Sequence, residues 1–406
     1  MQCLKHTRWQ KQAEHLYKPS MNITLSANSR VHRIAISIFF FIAGLVSASW
    51  ASRIPDVKMS LHLSEAALGG VLFAVPAGQI VSLPLSGWLI SKFGSRQLLI
   101  YVSIFFPLTL VMLSLATSTL LLVGILFFFG FWGNLFNISM NTQAVAIESL
   151  YGRSIMASFH GLWSLAGFTG AALGNFFVSG KISPLIHFSI IAILVSLLVS
   201  FFYKYTLPQH NTATEQKEPL FAKPDKRILL LGFIGFCCMI CEGCMADWSG
   251  IYFHEVIHSP VKYITLGYVA FMATMATGRF IGDKLITKFG VEKILQLSGV
   301  FIVSGFALVI LFPALQIAIT GCLLVGFGVS CVVPLVYAVA GKLKGISPQF
   351  ALAAVSTISF LGFLIGPPVI GFIAQASNLR WSFAVVAILG FCTTLLAGRI
   401  KKVIDF

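Results

Sequence analysis

Leu89-Ile90-Ser91-Lys92-Phe93-Gly94 returns almost letter for letter as Leu285-Ile286-Thr287-Lys288-Phe289-Gly290. The two hexapeptides stand 196 residues apart, close to half of the 406-residue chain. The same interval carries Gly130-Phe131 onto Gly326-Phe327 and Gly170 onto Gly366. An interval of 198 carries Ala48-Ser49-Trp50 onto Ala246-Asp247-Trp248. Four matched segments in one order describe a duplicated half.

The repeat lies in a chain that is 57% hydrophobic and only 10% charged. Soluble domains carry about a quarter charged residues, so this composition belongs to an integral membrane protein. Apolar runs of about 20 residues, each able to cross roughly 30 Å of hydrocarbon, fall near 34–51, 66–90, 97–116, 120–147, 154–178 and 185–203. A second set falls near 228–253, 263–287, 292–312, 315–341, 349–375 and 381–399. Twelve helical spans, six per half, are predicted. Outer-membrane strands are excluded, because they alternate and run only about ten residues. Internal symmetry in such a chain points to a transporter, whose two halves rock about a site between them.

The net charge of +15 invites a nucleic-acid reading, which its distribution removes. Arg53, Lys58, Lys181, Lys262 and Arg380 fall on one side of the spans, and the other 23 of the 28 Lys/Arg on the opposite side. By the positive-inside rule the basic side is cytoplasmic. Both termini and the central loop then lie inside. Residues 1–33 form a polar N-terminal segment without a secretory signal, span 1 acting as the uncleaved targeting element. A short basic leader beginning at Met21 offers a second possible start. The domains expected are bundles at 34–203 and 228–399, a polar cytoplasmic tether at 204–227 holding Pro208, Pro219 and Pro224, and a cytoplasmic tail at 400–406.

Seven of the eight cysteines fall inside spans, so no extracellular disulfide framework is expected. Cys237, Cys241 and Cys244 share a face of span 7. Three thiols beside Glu242 could hold a soft metal. One helix rarely closes a tetrahedral site, and cysteine also serves as a small apolar residue that lets helices approach. Packing is the reading adopted; no metal, cofactor or enzymatic constellation is expected.

An ionised carboxylate at bilayer depth costs roughly 3 kcal/mol even on the lenient insertion scale. Glu242 and Asp247 both lie in span 7. Five residues apart, they are separated by about 140° on a regular helix, so they face one point only if Gly243 loosens the turn. Carboxyl groups so placed can load and release a proton during a transport cycle. Asp247 could instead sit solvated at the outer mouth, paired with Arg53. His160 in span 5 is either a third proton-carrying candidate or a packing histidine. Asn134, Asn137 and Asn141 form one stripe on span 4, continued by Glu148. They either line a cavity and bond a polar solute or tie neighbouring helices together. Trp50, Trp163 and Trp248 are candidates for stacking on that solute, Trp50 and Trp248 being equally placed for an interfacial belt.

Lys92-Phe93-Gly94 between spans 2 and 3, and Gly278-Arg279 with Gly282-Asp283 through Lys288-Phe289-Gly290 between spans 8 and 9, resemble the inter-helix signature of the major facilitator superfamily. The arrangement of six spans, loop and six spans is similar too. Ala48 to Arg53, His160-Gly161, Glu242-Gly243 and Asp247-Trp248 resemble the bacterial YbjJ-type branch, which is distantly similar to fucose permease. The resemblance implies a gate built from Arg53, Lys92, Gly94, Arg279 and Asp283 in a bacterial cytoplasmic (inner) membrane. Two departures matter. The acidic residue of the signature is replaced by Ser91 in the first half, and the Gly-Pro ending of the proton/drug antiporter signature is missing at Gly167-Phe168-Thr169-Gly170-Ala171.

The expectation is an all-α, twelve-span secondary active transporter working by alternating access as a monomer in the lipid bilayer. It takes up a small polar organic solute with protons as coupling ion; proton-coupled efflux of a drug-like or toxic compound is the alternative. Arg53 and Arg279 are placed at span ends, so a neutral sugar-like or amide-like solute is expected rather than a strong anion.

Overall fold

The computed structural model describes residues 27–152, 155–208 and 225–400. The N-terminal leader, most of the central tether and the last six residues lie outside the described residues. Within them every regular element is a helix. The first half contains α1 (Ala27–Ala51), α2 (Ile54–Ser60), α3 (Glu65–Leu72), α4 (Ala74–Leu113), α5 (Thr119–Tyr151), α6 (Met156–Ser179) and α7 (Pro184–Phe202). The second contains α8 (Lys226–Glu255), α9 (Leu266–Phe289), α10 (Val291–Leu311), α11 (Leu315–Val329), α12 (Val332–Ala340), α13 (Pro348–Ala376) and α14 (Leu379–Ala397). Ser64, Ser118, Ser183 and Asn378 cap helix starts, each side chain accepting from the backbone N–H three residues on.

Eleven helical stretches are long and apolar enough to cross a membrane. One of them, Glu65–Leu113, has 49 residues, roughly 74 Å of helix if straight, more than twice the hydrocarbon thickness of about 30 Å. It is divided at Gly94, whose φ of 81° and ψ of 153° are non-helical. Gly290, its repeat mate, has φ 81° and ψ 160° and separates α9 from α10. Only a residue without Cβ adopts this conformation without strain. The quoted hexapeptides are therefore equivalent reversals, and the twelve expected spans are present. Span 2 is made of α3 and the first part of α4, and span 10 of α11 and α12.

The duplication extends to backbone contacts. A Cβ on Gly130 would stand 2.0 Å from the Val75 carbonyl oxygen, and one on Gly326 would stand 2.1 Å from that of Phe271. Both glycines and both carbonyls are related by the 196-residue interval. Spans 4 and 2, and likewise spans 10 and 8, touch backbone to backbone at the same place. The third matched pair behaves differently. A Cβ on Gly170 would press on Ala48 and Leu45 of span 1, whereas Gly366 meets only Ile240 at 4.0 Å.

The cysteines of span 7 are buried and point to different neighbours. Cys238 Sγ lies 3.7 Å from the Val329 carbonyl of span 10, and Cys241 Sγ lies 3.7 Å from that of Val386 in span 12.

Overpacking of this kind costs about 1–3 kcal/mol. Gly130→Ala and Gly326→Ala should each lower the thermal unfolding midpoint of the purified protein and its yield in membranes. Gly124→Ala, with nothing within 4 Å of the added carbon, should leave both near the parent values.

Candidate functional site

A cavity of about 400 Å³ lies between the two halves. Span 7 contributes Met239, Glu242, Gly243, Ala246 and Asp247, the i, i+3, i+4, i+7, i+8 stripe of a regular helix. Glu242 and Asp247 are the two flanks of that stripe, about 140° apart. Both line one chamber without any loosening at Gly243, because the chamber is as wide as the helix face. A groove of about 650 Å³ elsewhere is lined by Phe105, Leu108, Met112, Phe128 and Trp132. It lies between spans 3 and 4 with almost no polar group, so the chemistry is in the smaller chamber.

Arg279 changes the expected electrostatics. It stands near the middle of α9, not at a span end. Its Nη1 donates to Ser164 Oγ at 2.6 Å, its Nη2 lies 4.0 Å from Glu242 Oε1, and its guanidinium carbon lies 5.5 Å from the centre of the Trp163 ring. The side chains of Arg279 and Glu242 are 14% and 12% exposed. Arg279 and Glu242 belong to the second half; Ser164 and Trp163 belong to the first. One guanidinium thus joins the cavity's carboxylate to the opposite half. Asp283, expected beside Arg279, is exposed and forms no ion pair with it among the described residues.

The remaining predicted residues separate into those on the cavity wall and those off it. Trp50, Trp163, Asn134 and Asn137 line it. Asn134 Nδ2 also donates to the Gln79 carbonyl (3.1 Å) and Ser82 Oγ (2.7 Å), tying span 4 to span 2. Asn141 is off the wall and donates to Asn137 Oδ1 at 2.5 Å. Glu148 accepts from the backbone N–H of Ile155 and Met156 and so holds the start of α6. Trp248 is fully buried away from the wall, its indole N–H without a hydrogen-bond partner among the described residues. His160 is off the wall, its ring edge-on to Phe40 at 5.3 Å. It sits one turn before Ser164, whose hydroxyl donates to its carbonyl at 3.0 Å.

Arg53 is buried but is not Asp247's partner. It donates to His187 Nδ1 (3.2 Å), Asp56 Oδ2 (2.5 Å) and the Ile182 carbonyl (2.7 Å), all in its own half. Lys92 lies over the rings of Trp88 and Phe93, as its mate Lys288 lies over Phe289. Both lysines lie against rings of their own helices, near the reversals at Gly94 and Gly290.

The links between halves are concentrated at one end. Lys58 donates to Glu65 of its own half and to Glu255 of the other. Thr265 Oγ1 donates to Asn175 Oδ1 at 2.8 Å, and Ser179 Oγ donates to the Lys262 carbonyl at 3.0 Å. At this end α3 packs on α13: a Cβ on Gly69 would stand 2.6 Å from the Pro367 carbonyl, and one on Gly371 would stand 2.5 Å from that of Glu65. Around Lys92 and Lys288, the opposite end, the described residues show no hydrogen bond or ion pair between halves. The sequence reading passed over Lys58 and Glu255. The signal was there: they are 197 residues apart, between the repeat intervals of 196 and 198, so they are opposite charges near equivalent ends of the two halves. Mates near a pseudo-twofold axis face one another.

Residues 35–346 match the Major Facilitator Superfamily. This chain belongs to that superfamily. It is 32% identical over 357 residues to an uncharacterized MFS-type transporter of Yersinia pestis, covering 88% of this chain and 92% of that one. It is 30% identical over 361 residues to the membrane protein MosC of Rhizobium meliloti, covering 88% and 87%. Its fold is similar to the crystal structure of a mutant form of the nucleoside transporter NupG, with a TM-score of 0.72 at 16% identity over 91% of this chain and 99% of that one. The transporter is a multi-pass membrane protein whose halves enclose the chamber.

A partly exposed ion pair is worth up to about 1 kcal/mol, roughly a fivefold bias between conformations. Lys58→Gln and Glu255→Gln should therefore each raise the labelling rate of a cysteine placed at Ser47, on the cavity wall, when a thiol reagent reaches it from the Lys58 end. An unchanged rate in both variants would remove Lys58 from the closure of that end.

Proposed function

We propose that this transporter carries a small polar organic solute into the cell by alternating access, coupled to protons through Glu242. The observation that carries the reading is the Arg279 junction. A coupling carboxylate must change a contact between the halves when it gains or loses its proton, and among the cavity residues Glu242 is the one joined to the other half through a cation. While ionised, Glu242 holds Arg279 at Ser164 and Trp163. Once protonated it releases the guanidinium, and the halves can separate at this level. Tyr268 and Asp247 share the chamber, and His160 stands one turn from Ser164. They are the other groups able to sense the change.

The charge asymmetry supports placing the Lys58 end outside the cytoplasmic membrane and the Lys92 end, with both termini, inside. With the Lys58 end joined across the halves and, among the described residues, no hydrogen bond or ion pair between halves around Lys92 and Lys288, the conformation corresponds to a cavity opening inward. The bundles 34–203 and 228–399 would be the rocking bodies, acting within one monomer. The aromatic wall of Trp50, Trp163, Phe129 and Phe363 favours a second reading, extrusion of a drug-like compound.

In proteoliposomes screened against a solute panel, the parent should accumulate its solute when an inward proton gradient is imposed. Glu242→Gln should lose that accumulation at least tenfold while retaining exchange of solute without a gradient, since binding and rocking need no proton. Accumulation at the parent level in Glu242→Gln would overturn the assignment. Gradient-driven exit in place of entry would support extrusion. Orientation is read separately: an impermeant thiol reagent outside cells should label Lys181→Cys and not Lys344→Cys.

A further inference from the structure

The chamber wall carries two carboxylates and no lysine, arginine or histidine. The two acids are not equivalent. Glu242 is met from beside the chamber by Arg279. Asp247 lies on the other flank of the same helix face and has no hydrogen bond or ion pair with any described residue. The 140° between the flanks keeps the guanidinium of Arg279, fixed to Ser164 and Trp163, on the Glu242 side. A lone carboxylate inside a span is costly unless a cation meets it, and among the described residues none does. The absence of a deep cation was the premise for a neutral solute, and Arg279 removes it. The same arrangement disfavours anions, which would meet two acids and one base already engaged.

Rings lie around the same chamber. Trp50, Tyr268 and Phe271 line it with Asp247, and Tyr268 lies within the electrostatic reach of both carboxylates. Aromatic faces attract cations, most strongly when both are out of water. On the facing helices Gln79, Asn134 and Asn137 offer amide groups to an uncharged polar body. A chamber of about 400 Å³ suits a molecule of one ring.

We propose that the solute is a small primary amine, its ammonium group paired with Asp247 among the chamber's aromatic rings and its polar body turned toward the amides of spans 2 and 4. This rests on the chamber being the transport site and specifies what it holds. Glu242 then serves coupling and Asp247 serves recognition.

The test measures thermal unfolding of the purified, full-length protein with matched probes at one pH and ionic strength. Glucosamine is paired with glucose, benzylamine with benzyl alcohol, and ethanolamine with ethylene glycol. Binding to the native state raises the midpoint by mass action. At least one amine should raise the midpoint where its hydroxyl counterpart does not. Its apparent affinity should fall at least tenfold in Asp247→Asn and recover in part in Asp247→Glu. It should be unchanged in Glu292→Gln, which alters a carboxylate at the start of α10, off the chamber. Equal stabilisation by both members of every active pair, full affinity in Asp247→Asn, or no stabilisation by any amine would each overturn the proposal. Should Asp247→Asn be too unstable to purify, loss of the amine effect in Trp50→Ala tests the same pocket. Accumulation at the parent level in the Glu242→Gln vesicles would overturn the coupling assignment and leave this selectivity intact, so the two readings fall separately.

Discussion

A guanidinium in the middle of a membrane protein has to be matched, because hydrocarbon offers it nothing. Arg279 is matched by groups from both halves: Ser164 and Trp163 on one side, Glu242 on the other. Any motion that opens the interface at this depth has to supply the guanidinium with a substitute or neutralise the need for it. That requirement makes the junction a place where protonation and rocking can be coupled. Spans 5, 7 and 8 meet around this one side chain.

The duplication is kept where the scaffold needs it and abandoned where chemistry is done. Gly94 and Gly290 reverse the chain with the same dihedral angles, and Gly130 and Gly326 admit carbonyls at equivalent positions. These demands are steric and identical in both halves. In the chamber the mates diverge. Trp50 lines the wall while Trp248 is buried behind it, and Asp247 occupies the place that Ser49 fills by bonding to its own helix. A pseudo-twofold chamber with equivalent walls could not hold a solute in one orientation; unequal mates supply that asymmetry.

The two ends of the chamber are held differently. At the Lys58 end an ion pair, two hydrogen bonds and close backbone packing of α3 on α13 join the halves. At the basic ends of the helices the hydrogen bonds seen among the described residues lie within each half, as by Gln143, which bonds Ser95 and the Leu207 backbone. Closing one end with contacts that are each modest lets a small difference in solute or proton binding shift the balance.

The twelve spans, the duplication of one half and the recurrence of the glycines at matched positions were legible in the sequence. They follow from local rules: a fixed rise per residue, a fixed membrane thickness, and conformations open only to glycine. The two carboxylates of span 7 stood out for the same reason, since charge inside an apolar run is a local anomaly. Which charge meets which was not legible. Arg279 read as a gate residue at a span end, yet its helix turns it toward Glu242 and Ser164, the latter 115 residues away. Trp248 and Asn141 carried the right chemistry at the right period but face away from the chamber. Lys58 and Glu255 meet only because the halves fold against each other. Direction around a helix axis relative to distant helices is set by packing, and only the tertiary structure decides it.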